Sequence, residues 1–158
     1  MSRKMEEKGS VIRQRLGRLR LAMEENGIDA YLVETADFHQ SEYVGDYFKS
    51  RAYLSGFTGS AGTLLVDRKE AALWTDGRYF VQAAGQLEGT GIKLMRSGQE
   101  GVPTVLEFLE QNLPQGGTLG FDGRTVSGAW WEKARERLGR KQIKLEGNLD
   151  LAGQVWED

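Results

Sequence analysis

Two short stretches of this 158-residue chain gather residues that could do chemistry. HQSEYV (39–44) groups His39, Glu42 and Tyr43 in a polar segment, and WTDGRYF (74–80) sets Arg78 where a strand-like run gives way to a helix-like one. Ligands of open α/β sheets sit beyond the strand ends, where a guanidinium can fork two hydrogen bonds to a carboxylate or a carbonyl. Arg78 can equally pair with Asp76 or Glu42. On chemistry alone the two readings stand level.

Other chemistries lack their parts. Histidine occurs once and cysteine not at all, so there is no thiolate nucleophile, no zinc-thiolate set and no histidine-rich metal spacing. Gly59-Ser60-Ala61-Gly62 is the nearest approach to a nucleophile elbow, but it precedes a strand where an elbow must follow one. The same GFTGSAG run (56–62) leads into a strand instead of a helix N-terminus, which disfavours phosphate binding. Its small residues instead let the chain pass tightly over its neighbours. Asp29, Asp67, Asp76 and Asp122 stand at strand ends, where two-metal nuclease chemistry would need them to converge; ordinary turn chemistry is the simpler reading. Trp131 falls on an apolar helical stripe and Trp130 beside it, partly exposed, as core and interface residues. No catalytic residue and no metal ligand is assigned to this chain.

The elements that must position these residues follow from hydropathy. Ile12, Leu16, Leu19 and Met23 recur at helical spacing, with Ser10 as N-cap and a stop at Asn26-Gly27. Strands are expected at 29–34, 62–67, 71–76, 92–97, 118–122 and 143–148, and only Arg68, Lys69 and Glu70 separate the second from the third, which forces an antiparallel hairpin. Thr75 or Asp76 would cap a helix with Phe80, Val81, Ala84 and Leu87 on one face. Pro103 opens another carrying Val105, Leu106 and Leu109, stopped by Pro114, and Ser127 caps a third bearing Trp131, Ala134 and Leu138, closed by Gly139. Residues 35–60 are the least regular, with YFKSRAYLSGF (47–57) suited to a short helix. Strands alternating with helices, plus one hairpin, predict an α/β fold: a three-layer α/β/α sandwich on a mixed sheet.

Charge and length narrow the partners. Lysine plus arginine number 21 against 23 acidic residues, a net charge of -2, so no global field draws nucleic acid or an anionic membrane. Arg3, Lys4, Lys8, Arg13, Arg15, Arg18 and Arg20 cluster near the N-terminus among acids and without aromatic neighbours, which reads as a solvated helix face. No apolar run approaches the length of a membrane span, and no export signal precedes it, which points to the cytoplasm. One domain is expected over 1–148, with 149–158 the start of a linker to a second domain.

HQSEY, SGFTGSAGT and WTDGRYF, in this order and spacing and with Trp156 near the end, closely resemble the amino-terminal domain of Xaa-Pro aminopeptidases, the aminopeptidase P branch of the creatinase/prolidase family. The likeness covers roughly residues 28–158, with one departure: Gly153 stands in DLAGQVW (150–156) where relatives often have aspartate. The resemblance implies a ribonuclease-H-like α/β/α domain without catalytic residues of its own, which shapes substrate access and assembly. The parent would be a homodimer releasing an N-terminal residue that precedes proline. Its two divalent metal ions, usually manganese, would lie in a carboxy-terminal domain absent from this chain. Carried over to these positions, the resemblance makes Arg78 and His39 substrate-binding residues, with Glu42, Tyr43 and Asp76 as weaker candidates. A dipeptidase or non-peptidase relative, or a stand-alone binding or dimerisation module, is the alternative.

Overall fold

A computed structural model describes residues 3–35, 51–59, 61–121, 128–147 and Leu151. The expectations for His39, Glu42, Tyr43, Ser60, Asp122, Ser127, Gly153 and Trp156 lie outside these residues.

Helix α1 spans Arg3–Glu25 and buries the stripe Ile12, Leu16, Leu19 and Met23 against the sheet. It starts two turns before Ser10, which is therefore an interior residue and not the N-cap. Arg3–Lys8 are good helix formers, Arg3 and Glu7 pair one turn apart at 3.6 Å, and nothing in that stretch breaks the ladder. The helix ends as Asn26-Gly27 implied: Gly27 takes φ +69°, its amide donates to Glu24 O, and the Ile28 amide donates to Met23 O at 2.8 Å.

The basic residues of α1 do more than face water. Arg15 donates to Tyr53 O at 2.9 Å and stacks on the Tyr53 ring, Arg20 donates to Asp67 O at 2.9 Å, and Arg13 donates to Gly89 O. Each of these arginines reaches a backbone carbonyl of another part of the chain. Burial lowers the Arg20 pKa below its ordinary value, partly offset by Asp67.

Among the described residues six strands form one sheet: β1 (Ala30–Thr35), β2 (Gly62–Asp67), β3 (Ala71–Thr75), β4 (Lys93–Arg96), β5 (Thr118–Phe121) and β6 (Lys144–Glu146). Their order is β4-β3-β2-β1-β5-β6. β2 is antiparallel to both β1 and β3, while β3–β4, β1–β5 and β5–β6 are parallel, so β2 alone runs against the rest. The Asp67 carboxylate accepts from the Lys69 and Glu70 amides, which closes the β2–β3 hairpin in three residues. Both edges are short strands carrying charge, Lys93 and Arg96 on β4, Lys144 and Glu146 on β6.

Both faces of the sheet are covered, which is why β1 and β3 read as unbroken apolar runs. Tyr31, Val33, Leu64, Val66, Ala71 and Leu73 pack on α1 and on α2 (Phe80–Gln86). The alternate residues Ala30, Leu32, Leu65, Ala72 and Trp74 pack on α3 (Val105–Asn112) and α4 (Gly128–Gly139). The fold is a three-layer α/β/α sandwich. Residues 51–55 are helical, in the stretch where a short helix was expected.

Two further details depart from the hydropathy reading. A 3-10 turn, Gly77–Tyr79, precedes α2 and rotates it, so Ala83 and Leu87 face the core while Ala84 is exposed and Val81 is 91% exposed. The first turn of α3 is set by Thr104 and not by Pro103: the Thr104 hydroxyl accepts from the Glu107 amide, and the Glu107 carboxylate accepts from the Thr104 amide. Trp130 is half-buried like Trp131, both meeting the edge or face of Phe121 at 5.7 and 5.2 Å.

Candidate functional site

The strand β3 delivers Asp76 and Arg78 to the rim of a cavity of about 650 Å³. The cavity opens at the C-terminal ends of β3 and β4, where the reversed β2 begins and α3 starts. Ala61, Gly62, Thr75 and Ser97 form its sheet end, and Trp74, Val102 and Val105 give it an apolar wall. Two hydrogen bonds brace it: the Trp74 indole N–H donates to Pro103 O at 2.8 Å, and the Thr75 hydroxyl donates to Ala61 O at 2.9 Å. Apolar walls with a few fixed polar groups are what small-ligand and peptide sites require.

Asp76 holds Arg78 in a two-point grip. Arg78 Nε donates to Asp76 Oδ1 at 3.1 Å and Arg78 Nη2 to Asp76 Oδ2 at 2.9 Å, while the Arg78 amide also donates to Oδ1 at 3.0 Å. Asp76 is thereby the cap of the 3-10 turn and the partner of the arginine at once. These hydrogen bonds, the guanidinium's first, hold the Asp76 carboxyl below the usual carboxylate range. The pair is solvent-exposed, so its value lies in orienting the guanidinium more than in stability. The pairing of Arg78 with Asp76 envisaged from the sequence is realised, and both residues remain on the cavity rim.

The aspartates take the turn reading as far as they are described. Asp29 accepts from the Thr118 amide at 2.8 Å and lies near Arg68, and Asp67 closes the hairpin. Asp29 and Asp67 stand at one end of the sheet and Asp76 at the other, because Ala30 pairs with Asp67 while Thr63 pairs with Trp74. Among the described residues no three histidine, cysteine, aspartate or glutamate side chains come together as metal ligands.

One residue behind the site escaped the sequence reading. Arg51 is fully buried; its guanidinium donates to Gly59 O and, at 3.2 Å, to Gly62 O, and lies 5.1 Å from the Phe57 ring centre. Burial pushes its pKa down to about 10. An arginine inside the otherwise apolar run RAYLSGF was the signal available. The glycine-rich run pressed against it behaves as expected: a Cβ on Gly59 would lie 2.2 Å from the Phe57 ring, and Gly56 takes φ +77°.

Sheet order, helix layers and the GRYF turn together define a creatinase/prolidase-type domain. Residues 15–151 match the model of the creatinase/prolidase N-terminal domain, and the chain belongs to that family. It is 43% identical over 152 residues to aminopeptidase P2 of Arabidopsis thaliana, a match covering 94% of this chain and 21% of the relative. Against the Xaa-Pro aminopeptidase ApepP of Drosophila melanogaster the identity is 41% over 133 residues, 82% of this chain and 21% of the relative. The chain thus spans about one fifth of these curated relatives. The crystal structure of the Caenorhabditis elegans X-prolyl aminopeptidase, described as a cytosolic enzyme with a di-nuclear active site, superposes with a TM-score of 0.78 at 35% identity, over 92% of this chain and 25% of that one. The N-terminal domain of the cytoplasmic peptidase PepQ from Mycobacterium tuberculosis, 26% identical, superposes with a TM-score of 0.64 over 90% and 98% of the two chains.

Proposed function

We propose that this chain serves as the non-catalytic N-terminal domain of a longer, cytoplasmic and homodimeric Xaa-Pro aminopeptidase, in which it shapes the approach of a peptide with proline at its second position. The observation that carries this reading is Arg78, gripped by Asp76 on the rim of a cavity at the strand ends, in a chain of this family. Held at two points by Asp76, the guanidinium is fixed in direction on the cavity rim, and a guanidinium so oriented suits a peptide carbonyl or carboxylate. Trp74 and Val105 offer an apolar surface beside it. In this reading His39, Glu42 and Tyr43 border the same cleft or brace its loop.

On this reading two divalent ions, manganese, would be held by the remainder of the longer protein. When bound, such a pair supplies the Lewis acidity for peptide hydrolysis. This chain's contribution is orientation: Arg78 fixes the peptide and Asp76 fixes Arg78. Replacing Arg78 with alanine in the full-length protein is expected to raise KM or lower kcat/KM on Xaa-Pro peptides by about tenfold, with the melting temperature unchanged. Unchanged kinetics overturn the assignment.

A further inference from the structure

We propose that Arg51 is a positioning residue for this site: from within the core it fixes the 56–62 loop and, through Phe57 and Tyr79, the stance of Arg78. The inference rests on the role proposed for Arg78 and adds the means by which that role is set.

A guanidinium with no exposed surface is costly to bury, and an apolar residue of similar size would fill the same space without that cost. What offsets that cost is the set of backbone carbonyls its fork holds. The two carbonyls that accept from Arg51, Gly59 O and Gly62 O, lie three residues apart, on either side of the point where the loop enters β2. Between them is Ala61, whose carbonyl accepts from Thr75; Ala61 and Gly62 both line the cavity. One buried cation therefore sets the cavity wall formed by the loop.

The second connection is a relay of rings. Arg51 stacks 5.1 Å from the centre of Phe57, Phe57 meets Tyr79 edge-on at 6.0 Å and 79°, and Arg78 sits 5.1 Å from the centre of Tyr79. Phe57 is fully buried, and Gly59 passes its ring so closely that a methyl group there would collide with it. Tyr79 is thus backed by a buried ring, and it in turn backs the side chain of its neighbour Arg78. Arg78 is steered from two sides, by Asp76 through hydrogen bonds and by Tyr79 through its ring.

The test uses the full-length protein and five variants: Arg51→Lys, Tyr79→Leu, Arg78→Ala and each of the first two combined with Arg78→Ala. Arg51→Lys keeps the charge but not the fork, and Tyr79→Leu leaves Arg51 and the core in place while cutting the relay. Each is expected to lower kcat/KM on an Xaa-Pro peptide by about tenfold, mainly through KM, in protein whose circular dichroism is unchanged. In the Arg78→Ala background the same changes are expected to cost less than about threefold, since the residue they position is gone. Losses of equal size in both backgrounds overturn the inference, as does a silent Tyr79→Leu, which is decisive even if Arg51→Lys fails to fold. A silent Arg78→Ala instead removes the substrate role of Arg78, and this inference with it.

Discussion

Asp76 is the residue whose protonation most directly reports the site. Its carboxyl is held below the usual range by Arg78, so whatever the pair contributes is fully present above the ordinary aspartate pKa of about 4 and is lost as pH falls through the lowered folded value. A carboxyl NMR titration should place the Asp76 midpoint below that of a free aspartate, and Arg78→Ala should move it upward. A midpoint that ignores the substitution contradicts the two-point grip. Arg78 was legible in the sequence because it stands where a strand turns into a helix, a place that matters whatever the side chain. Arg51 was not: hydropathy patterns treat arginine as surface, and only the fold shows that it reaches carbonyls eight and eleven residues away.

Glycines in α1 separate packing from propensity. A Cβ on Gly9 would come within 2.4 Å of Gly89 O, a backbone atom that cannot swing aside, whereas one on Gly17 meets nothing within 4 Å. Alanine at Gly17 should therefore stabilise the protein by about 0.5–1 kcal/mol, the usual gain in a helix interior. The same change at Gly9 should cost about 1–3 kcal/mol despite the better propensity, because the helix must move off the loop. Urea denaturation of the two variants checks both signs, and equal shifts would show that the close approach is absent. The six strands and their hairpin were legible because apolar runs bounded by turn residues leave few alternatives. The start of α1 and the rotation of α2 were not: the first depends on charged residues that continue a helix silently, and the second on a 3-10 turn that shifts the phase of the pattern.

Across the molecule, the last described residue is tied to a central strand. Leu151 is fully buried, and its amide donates to the Tyr31 hydroxyl of β1 at 3.1 Å, 120 residues away. Tyr31→Phe leaves that amide without this acceptor and should cost about 1–3 kcal/mol, with faster hydrogen exchange at Leu151 as its local signature. Exchange that does not change would place the tie elsewhere. The three-layer architecture was readable as a whole, from strands alternating with helices around one hairpin. Which residues the layers bring together was not, since Arg51, Phe57, Tyr79 and Arg78 are joined through tertiary contacts that no spacing encodes.

The strand order also bears on how the chain is made. β2, β3 and β4 each lie beside their predecessor, so four of the six described strands can assemble in the order in which a ribosome releases them. β5 then crosses to the other side of β1. Until about residue 118 has emerged, the second edge of β1, with the apolar AYLV at its heart, has no partner strand. A nascent chain stalled in that interval would be most prone to wrong pairing at β1, in the middle of the finished sheet, and not at the short charged strands that later form its borders.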